Sequence, residues 1–215
     1  MKSLCSPVHR RSVVYACTED AFPARRLEQL RAARRLTTAV TDLILIEHAP
    51  DVDSLQVCCE RRVPQLAGRR PLCALIIDSV AAHFRCQYEA GEGGRRARDL
   101  QTLAGTLRRL SRQHSVAVLC VNQVTSVPRD GAAGGVTPAL GLAWATQVTC
   151  RLQTTRTRFS LAHRERPSEA APRLMQLRVH SASHLAADAA YYQIEAGGVR
   201  GVPVTDSTLL VPLPD

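Results

Sequence analysis

The sequence has almost no lysine. Lys2 is the only one; every other member of the 28 Lys and Arg residues in this 215-residue chain is arginine. A phosphate-binding P-loop needs a Gly-rich stretch ending in Gly-Lys-Ser/Thr. Lys2-Ser3 is the sole Lys-Ser/Thr pair, no glycine precedes it, and a strand-like run follows too soon for the helix that such a loop opens. A Schiff-base lysine is excluded on the same ground. Long apolar runs are also missing. Stretches such as Leu72 to Ile77 and Val116 to Val121 fall far short of the ~20 residues a spanning helix requires. Pro7, His9, Arg10 and Arg11 interrupt the start, leaving no apolar stretch of signal-peptide length. The eight cysteines contain no Cys-x-x-Cys pair. Cys17, Cys73, Cys120 and Cys150 lie inside apolar runs and read as small hydrophobes in a reducing compartment, not as a disulfide framework or a zinc site.

What is present suits a globular α/β domain. Hydrophobic residues make up 45% and charged residues 22%, enough apolar mass for a core that buries roughly 70% of the unfolded surface. The net charge of +9 rests on arginine, whose planar fork binds phosphate and stacks on bases. That fits an anionic partner such as nucleic acid, and it equally fits a GC-rich coding bias.

Short apolar runs alternate with helical spacing. Strands are expected at Val13–Cys17, Leu43–Ile46, Leu72–Ile77 and Val116–Val121. Between them, helices are expected over Arg25–Leu36, after a capping Asp51 with a disturbance at Pro64, and from about Ala97 along Leu100, Leu103, Leu107 and Leu110. Such alternation predicts a mostly parallel sheet flanked by helices. Residues 126–137 read as loop. Strands near 142–152, 156–161, 173–180 and 190–196 read as antiparallel hairpins extending the sheet.

Ligands of parallel α/β sheets sit outside the carboxyl ends of the strands. Here those ends are polar: Thr18-Glu19-Asp20, Glu47-His48, Asp78-Ser79 and Asn122-Gln123. Two carboxylates on neighbouring strands suit Mg²⁺ and an oriented water, and an amide on a third suits phosphate sensing. The plainer alternatives are a cap after the strand for Asp78-Ser79, loop hydrogen bonds for Asn122-Gln123 and a structural or solvated role for Glu47-His48.

Tyr15-Ala-Cys-Thr-Glu-Asp-Ala-Phe22, Leu75-Ile-Ile-Asp-Ser79, Val121-Asn-Gln-Val124 and Gly198-Val-Arg-Gly201 resemble successive motifs of the RecA-like recombinase core. Pro138-Ala-Leu-Gly141 and Ile76-Ile-Asp-Ser-Val-Ala-Ala82 bring the resemblance to the eukaryotic recombinase paralogues. It runs from about residue 13 to 203, with residues 1–12 unmatched and 204–215 a C-terminal tail. The resemblance implies a DNA repair protein of homologous recombination in the nucleus, with ATP and Mg²⁺ as cofactors. Its partners would be another recombinase paralogue and single-stranded or branched DNA. It implies that Glu19 activates the attacking water, that Asp78 acts on Mg²⁺ through water, and that Gln123 senses the γ-phosphate. Arg26 matches an adenine-stacking side chain, and Ser79 and Asn122 stand beside the nucleotide. Arg85, Arg95, Arg96 and Arg98 match the first DNA-binding loop, and residues 125–137, with Arg129 as their cation, match the second.

Two departures shape the expectations. The family's Walker A strand and loop would precede Glu19, and no such motif occurs in these residues. The chain alone is therefore expected not to turn over ATP, with Glu19 and Asp78 facing each other with little to offset their charge. In the RecA-like sheet the Walker A strand lies between the matches of 116–121 and 142–152, so an open seam and poor stability are expected there. The alternative is a non-catalytic module that offers surfaces to a partner paralogue.

Overall fold

The computed structural model describes residues 11–127, 135–161, 172–203 and 210–212. They divide into two compact units, residues 1–23 with 37–147, and residues 24–36 with 148–215.

The first unit holds a four-stranded sheet: β1 (Ser12–Cys17), β2 (Ile44–His48), β3 (Leu72–Asp78) and β4 (Ala117–Val121), in the order β2-β1-β3-β4. All three pairings are parallel. Val14, Ala16, Leu75 and Ile77 are fully buried, as the continuous apolar runs of a sheet covered on both faces require. The helices of this unit are α2 (Val52–Val57), α3 (Val63–Arg69), α4 (Ala81–Cys86), α5 (Gly93–His114) and α6 (Gly141–Ala145).

Local chemistry explains most boundaries. Asp51 caps α2, its carboxylate accepting from Ser54 N at 2.6 Å. This satisfies one of the orphan amides at a helix start. Between α2 and α3 the helix widens into a π turn over Cys58–Arg62. Pro64 sits just beyond, and its missing N–H deprives the Glu60 carbonyl of its usual donor. The α5 stripe Leu100, Leu103, Ala104, Leu107 and Leu110 is buried as its spacing predicts. The helix starts at Gly93, four residues before the expected position, and Ser115 ends it in the left-handed region at φ 53°.

The stretch expected to be loop at 126–137 is partly a hairpin: β5 (Val124–Val127) pairs antiparallel with β6 (Gly135–Pro138). The strand expected at 142–152 is a correction. Residues 141–145 form α6 and the strand begins only at Cys150. A five-residue helix is too short to show a period of its own.

The second unit is an antiparallel sheet of β7 (Cys150–Leu161), β8 (Arg173–Ala182), β9 (Ala189–Glu195), β10 (Gly198–Val202) and β11 (Leu210–Pro212), in the order β10-β9-β8-β7-β11. The two strands expected at 142–152 and 156–161 are thus one, and the hairpins form a sheet of their own. Helix α1 (Ala24–Ala33) belongs to this unit. Its Leu30, and Arg34 just past its end, approach Gly198, where a Cβ would meet Leu30 Cδ2 at 3.2 Å and Arg34 Nη2 at 3.1 Å and where φ is +109°. Glycine is the residue that tolerates both conditions.

Candidate functional site at the strand ends

Register places the site. Cys17 lies opposite His48 on one side and Asp78 on the other, and Asp78 lies opposite Val121. Four strands therefore end at one level, and the polar residues that follow them emerge side by side. Three backbone bonds continue the alignment past the strands: Thr18 N to Asp78 O at 3.0 Å, Ala49 N to Cys17 O at 2.9 Å and Val80 N to Val121 O at 2.9 Å.

Thr18 locks the junction. Its hydroxyl donates to Ser79 O at 2.8 Å and accepts from Ser79 N at 2.7 Å. The Asp78–Ser79 peptide is cis. The Ser79 hydroxyl accepts from Ala82 N at 3.3 Å, tying the first turn of α4, and donates to Glu19 Oε1 at 3.4 Å. The capping role anticipated for Asp78-Ser79 thus belongs to Ser79 and leaves Asp78 for other contacts.

Glu19, Ser79 and Gln123 are joined, and Asp78 stands on the same strand end. Gln123 Nε2 donates to Glu19 Oε1 at 2.5 Å, and Arg85 Nη1 donates to Gln123 Oε1 at 2.5 Å. Gln123 N donates to Asn122 Oδ1 at 2.9 Å, while Asn122 Nδ2 donates to Ala139 O at 3.0 Å. Asn122 therefore fixes the loop backbone, and Gln123 bridges a cation on α4 to a carboxylate after β1.

The two carboxylates are not left to repel each other. Tyr15 Oη donates to Asp78 Oδ2 at 2.5 Å, and Glu19 is held by Gln123 and Ser79. Burial first, and then the bond to Asp78 and its charge, push the Tyr15 phenol well above its ordinary range. Burial and Asp78 also raise the Cys17 thiol. Burial alone pushes Cys120 up to about 12, so it stays a protonated apolar group. Sequence reasoning missed Tyr15, although its polar tip inside an apolar strand was a signal that it meets a partner.

The remaining candidates fall elsewhere. Glu47 pairs with Arg62 at 2.8 Å, the structural role. Arg26, in the second unit, spends both terminal nitrogens on the β9–β10 turn, Nη2 to Glu195 O at 2.8 Å and Nη1 to Ala196 O at 3.1 Å. Arg95 reaches Glu92 at 3.1 Å and Asp99 at 3.9 Å, and lies 5.9 Å over the Tyr88 ring. Tyr88 in turn donates to Asp99 at 2.8 Å. Arg96 and Arg98 follow in the first turns of α5. Arg129 lies outside the described residues.

Comparison with known proteins agrees with this geometry. A family model described as Rad51 matches residues 9–202. DNA repair protein XRCC3 of Bos taurus is 45% identical over 209 residues, covering 89% of this chain and 59% of its own length. The Mus musculus protein of the same name is 40% identical over 216 residues, covering 90% and 60%. DNA repair protein rhp57 of Schizosaccharomyces pombe is 27% identical over 185 residues, covering 66% and 52%. The chain therefore spans about three fifths of the length of its XRCC3 relatives. The extent of the model match, the two XRCC3 relatives and the parallel sheet with its aligned strand ends establish that this chain belongs to the Rad51 family and has its RecA-like α/β fold.

Proposed function

We propose that this chain is a recombinase-paralogue ATPase core that serves homologous recombination repair in the nucleus, acting on single-stranded or branched DNA beside another paralogue. One observation carries the reading: Glu19, Ser79 and Gln123 form a hydrogen-bonded group at the ends of three adjacent parallel strands, with Asp78 at the same level. In this reading Glu19 orients the attacking water, and Gln123 changes partner when a phosphate arrives. Among the described residues no three His, Cys, Asp or Glu side chains gather around one point. The donors present, Asp78 with Glu19 nearby, suit Mg²⁺, which keeps several waters and takes one or two carboxylates plus nucleotide phosphates. Arg85, Arg96 and Arg98 would meet DNA phosphates.

Titration with Mg-ATP tests this. The 215 residues alone are expected to give no turnover, because these residues contain no Gly-Lys-Ser/Thr cradle for the β- and γ-phosphates. Joined to the Walker A-bearing part of an XRCC3 relative, the chain should gain nucleotide binding, and Glu19→Gln should abolish turnover while sparing binding. Turnover indifferent to Glu19→Gln would overturn the assignment.

A second reading, a non-catalytic module that binds a partner paralogue, is favoured by the free side of β4. Among the described residues β4 pairs only with β3, and Leu119 is 54% exposed. Val124, Val136 and Leu142 of the same unit are exposed too. An open strand edge with exposed apolar side chains is a ready partner surface. Unchanged partner binding in Glu19→Gln and Asp78→Asn variants, with no nucleotide bound, would select this reading.

A further inference from the structure

Two arginines and a leucine followed by a hydroxyl residue occur twice in this chain, as Arg34-Arg35-Leu36-Thr37 and as Arg108-Arg109-Leu110-Ser111. Arginines two and three residues before a serine or threonine form a charge pattern that arginine-directed protein kinases read with carboxylates. Such a kinase must reach the guanidinium groups and the hydroxyl together. The pattern therefore counts only where backbone and side chains are open and the chain is extended.

The structure separates the two copies. Ser111 lies inside α5, and its carbonyl accepts from Ser115 N and from Val116 N. Leu110 just before it is 3% exposed. Arg108 Nη1 is held by Gln147, by the side-chain Oε1 at 2.9 Å and the backbone O at 3.2 Å, and Arg109 Nη2 donates to Thr106 Oγ1 at 3.2 Å. Extending the chain at Ser111 would unwind the end of the helix and pull Leu110 from the core, with loss of buried apolar area.

The first copy is already presented. Helix α1 ends at Ala33, and a 3-10 helix begins at Thr38. Arg35, at φ 53°, breaks the helical path between them. Thr37 is extended, with φ −74° and ψ 160°, and its side chain makes no capping bond. Residues 34–37 are all exposed, and Leu36 is 42% exposed where Leu110 is 3%. Among the described residues the Arg35 side chain makes no hydrogen bond or ion pair. Arg34 donates its Nε to Gly197 O at 2.9 Å, which leaves the terminal nitrogens of its fork for a carboxylate.

We propose that Thr37 is a phosphorylation site for an arginine-directed Ser/Thr kinase, with Arg34 and Arg35 as the side chains that the kinase recognises. Thr37 Oγ1 attacks the γ-phosphorus of the kinase-bound ATP. The bond from that phosphorus to the β–γ bridging oxygen breaks, its electron pair leaves on ADP, and the hydroxyl proton passes to the catalytic aspartate of the kinase. The product carries a charge of about −1.5 to −2 at pH 7. The charged side chains of residues 31–41 are Arg31, Arg34 and Arg35, so the phosphate offsets much of a wholly basic segment. None of these residues belongs to the strand-end site.

The test incubates the full chain with the catalytic subunit of cyclic-AMP-dependent protein kinase and Mg-ATP labelled at the γ-phosphate, and locates the label by mass spectrometry. Label is expected on Thr37 and not on Ser111. Thr37→Val should remove it, and Thr37→Ser, which keeps the hydroxyl, should retain it. Arg34→Ala with Arg35→Ala should slow labelling about ten-fold or more through lost charge-assisted bonds. Arg108→Ala with Arg109→Ala, and Ser111→Ala, should leave the rate unchanged. Thermal melts followed by circular dichroism show that each variant keeps the parent fold. A folded chain that takes no label on Thr37 would overturn the site. Label on Ser111 would overturn the selection by backbone exposure, and an unchanged rate in the Arg34, Arg35 variant would overturn the part given to the arginines.

Discussion

The two sheets of this molecule solve the same problem differently. In the parallel sheet β1 and β3 are buried in the middle, helices supply a core around Leu75, Phe84 and Leu100, and polar groups past the strand ends are bonded to one another. In the antiparallel sheet the buried side chains among the described residues are Leu174, Ser160 and Gln193, and large apolar and basic side chains stand exposed. The same contrast appears in their arginines. Arg95 of α5 is neutralised by Glu92 and Asp99 and laid over Tyr88, whereas Arg156 and Arg173 make no ion pair among the described residues. A run of arginines in sequence therefore says little about free charge until its partners are known, and a surface arginine already paired has less to offer a phosphate.

Core truncation sharpens the contrast most. Leu75→Ala, at a fully buried position, should cost about 2–5 kcal/mol of unfolding free energy in urea. Ile194→Ala, at a 54% exposed position of the second sheet, should cost under about 0.5 kcal/mol. Comparable losses at both sites would mean that the second sheet is covered as well as the first. Next in size is Tyr15→Phe, which removes the donor to Asp78. It should destabilise by about 0.5–1.5 kcal/mol, since water can replace part of the bond at this partly buried position. A stability gain there would show that the Tyr15–Asp78 contact holds the carboxylate under strain.

The smallest effect concerns pH. The Ser54 amide bond lowers the Asp51 carboxyl below its ordinary value of 3.8. Because the folded state holds the ionised form more tightly, this contribution is present above the unfolded value and disappears as pH falls through the lowered folded one. Asp51→Asn retains a capping oxygen but no charge. Its Tm should lie slightly below that of the parent at pH 7, and the gap should close below pH 3.8. A gap independent of pH would assign the effect to shape and not to charge.

The sequence carried the parallel unit well because its information is local. Continuous apolar runs mark β1, β3 and β4, and the residues just past them, Glu19, Asp78 and Gln123, mark the site once the strands are set side by side. What escaped was non-local or too short for periodicity. Tyr15 and Asp78 lie 63 positions apart, and Arg85 and Gln123 lie 38 apart. No local pattern signals either pairing. Helix α6 is a five-residue apolar segment that imitates a strand, and β5 and β6 flank a Gly-rich stretch that hides their alternation. For the arginines, type, position and easing by the nearby Glu92 and Asp99 were legible, and what the α5 turn adds is that both carboxylates meet Arg95.

The salt dependence of oligo-dT binding tests the difference between paired and unpaired arginines most directly. For single strands each phosphate contact contributes a slope of about −0.7 in log K against log salt. Alanine at Arg96 and Arg98 together should flatten the slope by about 1.4 units, whereas Arg95→Ala should leave it nearly unchanged, because Arg95 is already paired. A loss from Arg95→Ala as large as that from either Arg96→Ala or Arg98→Ala would contradict the claim that carboxylate pairing decides which arginines are free for DNA.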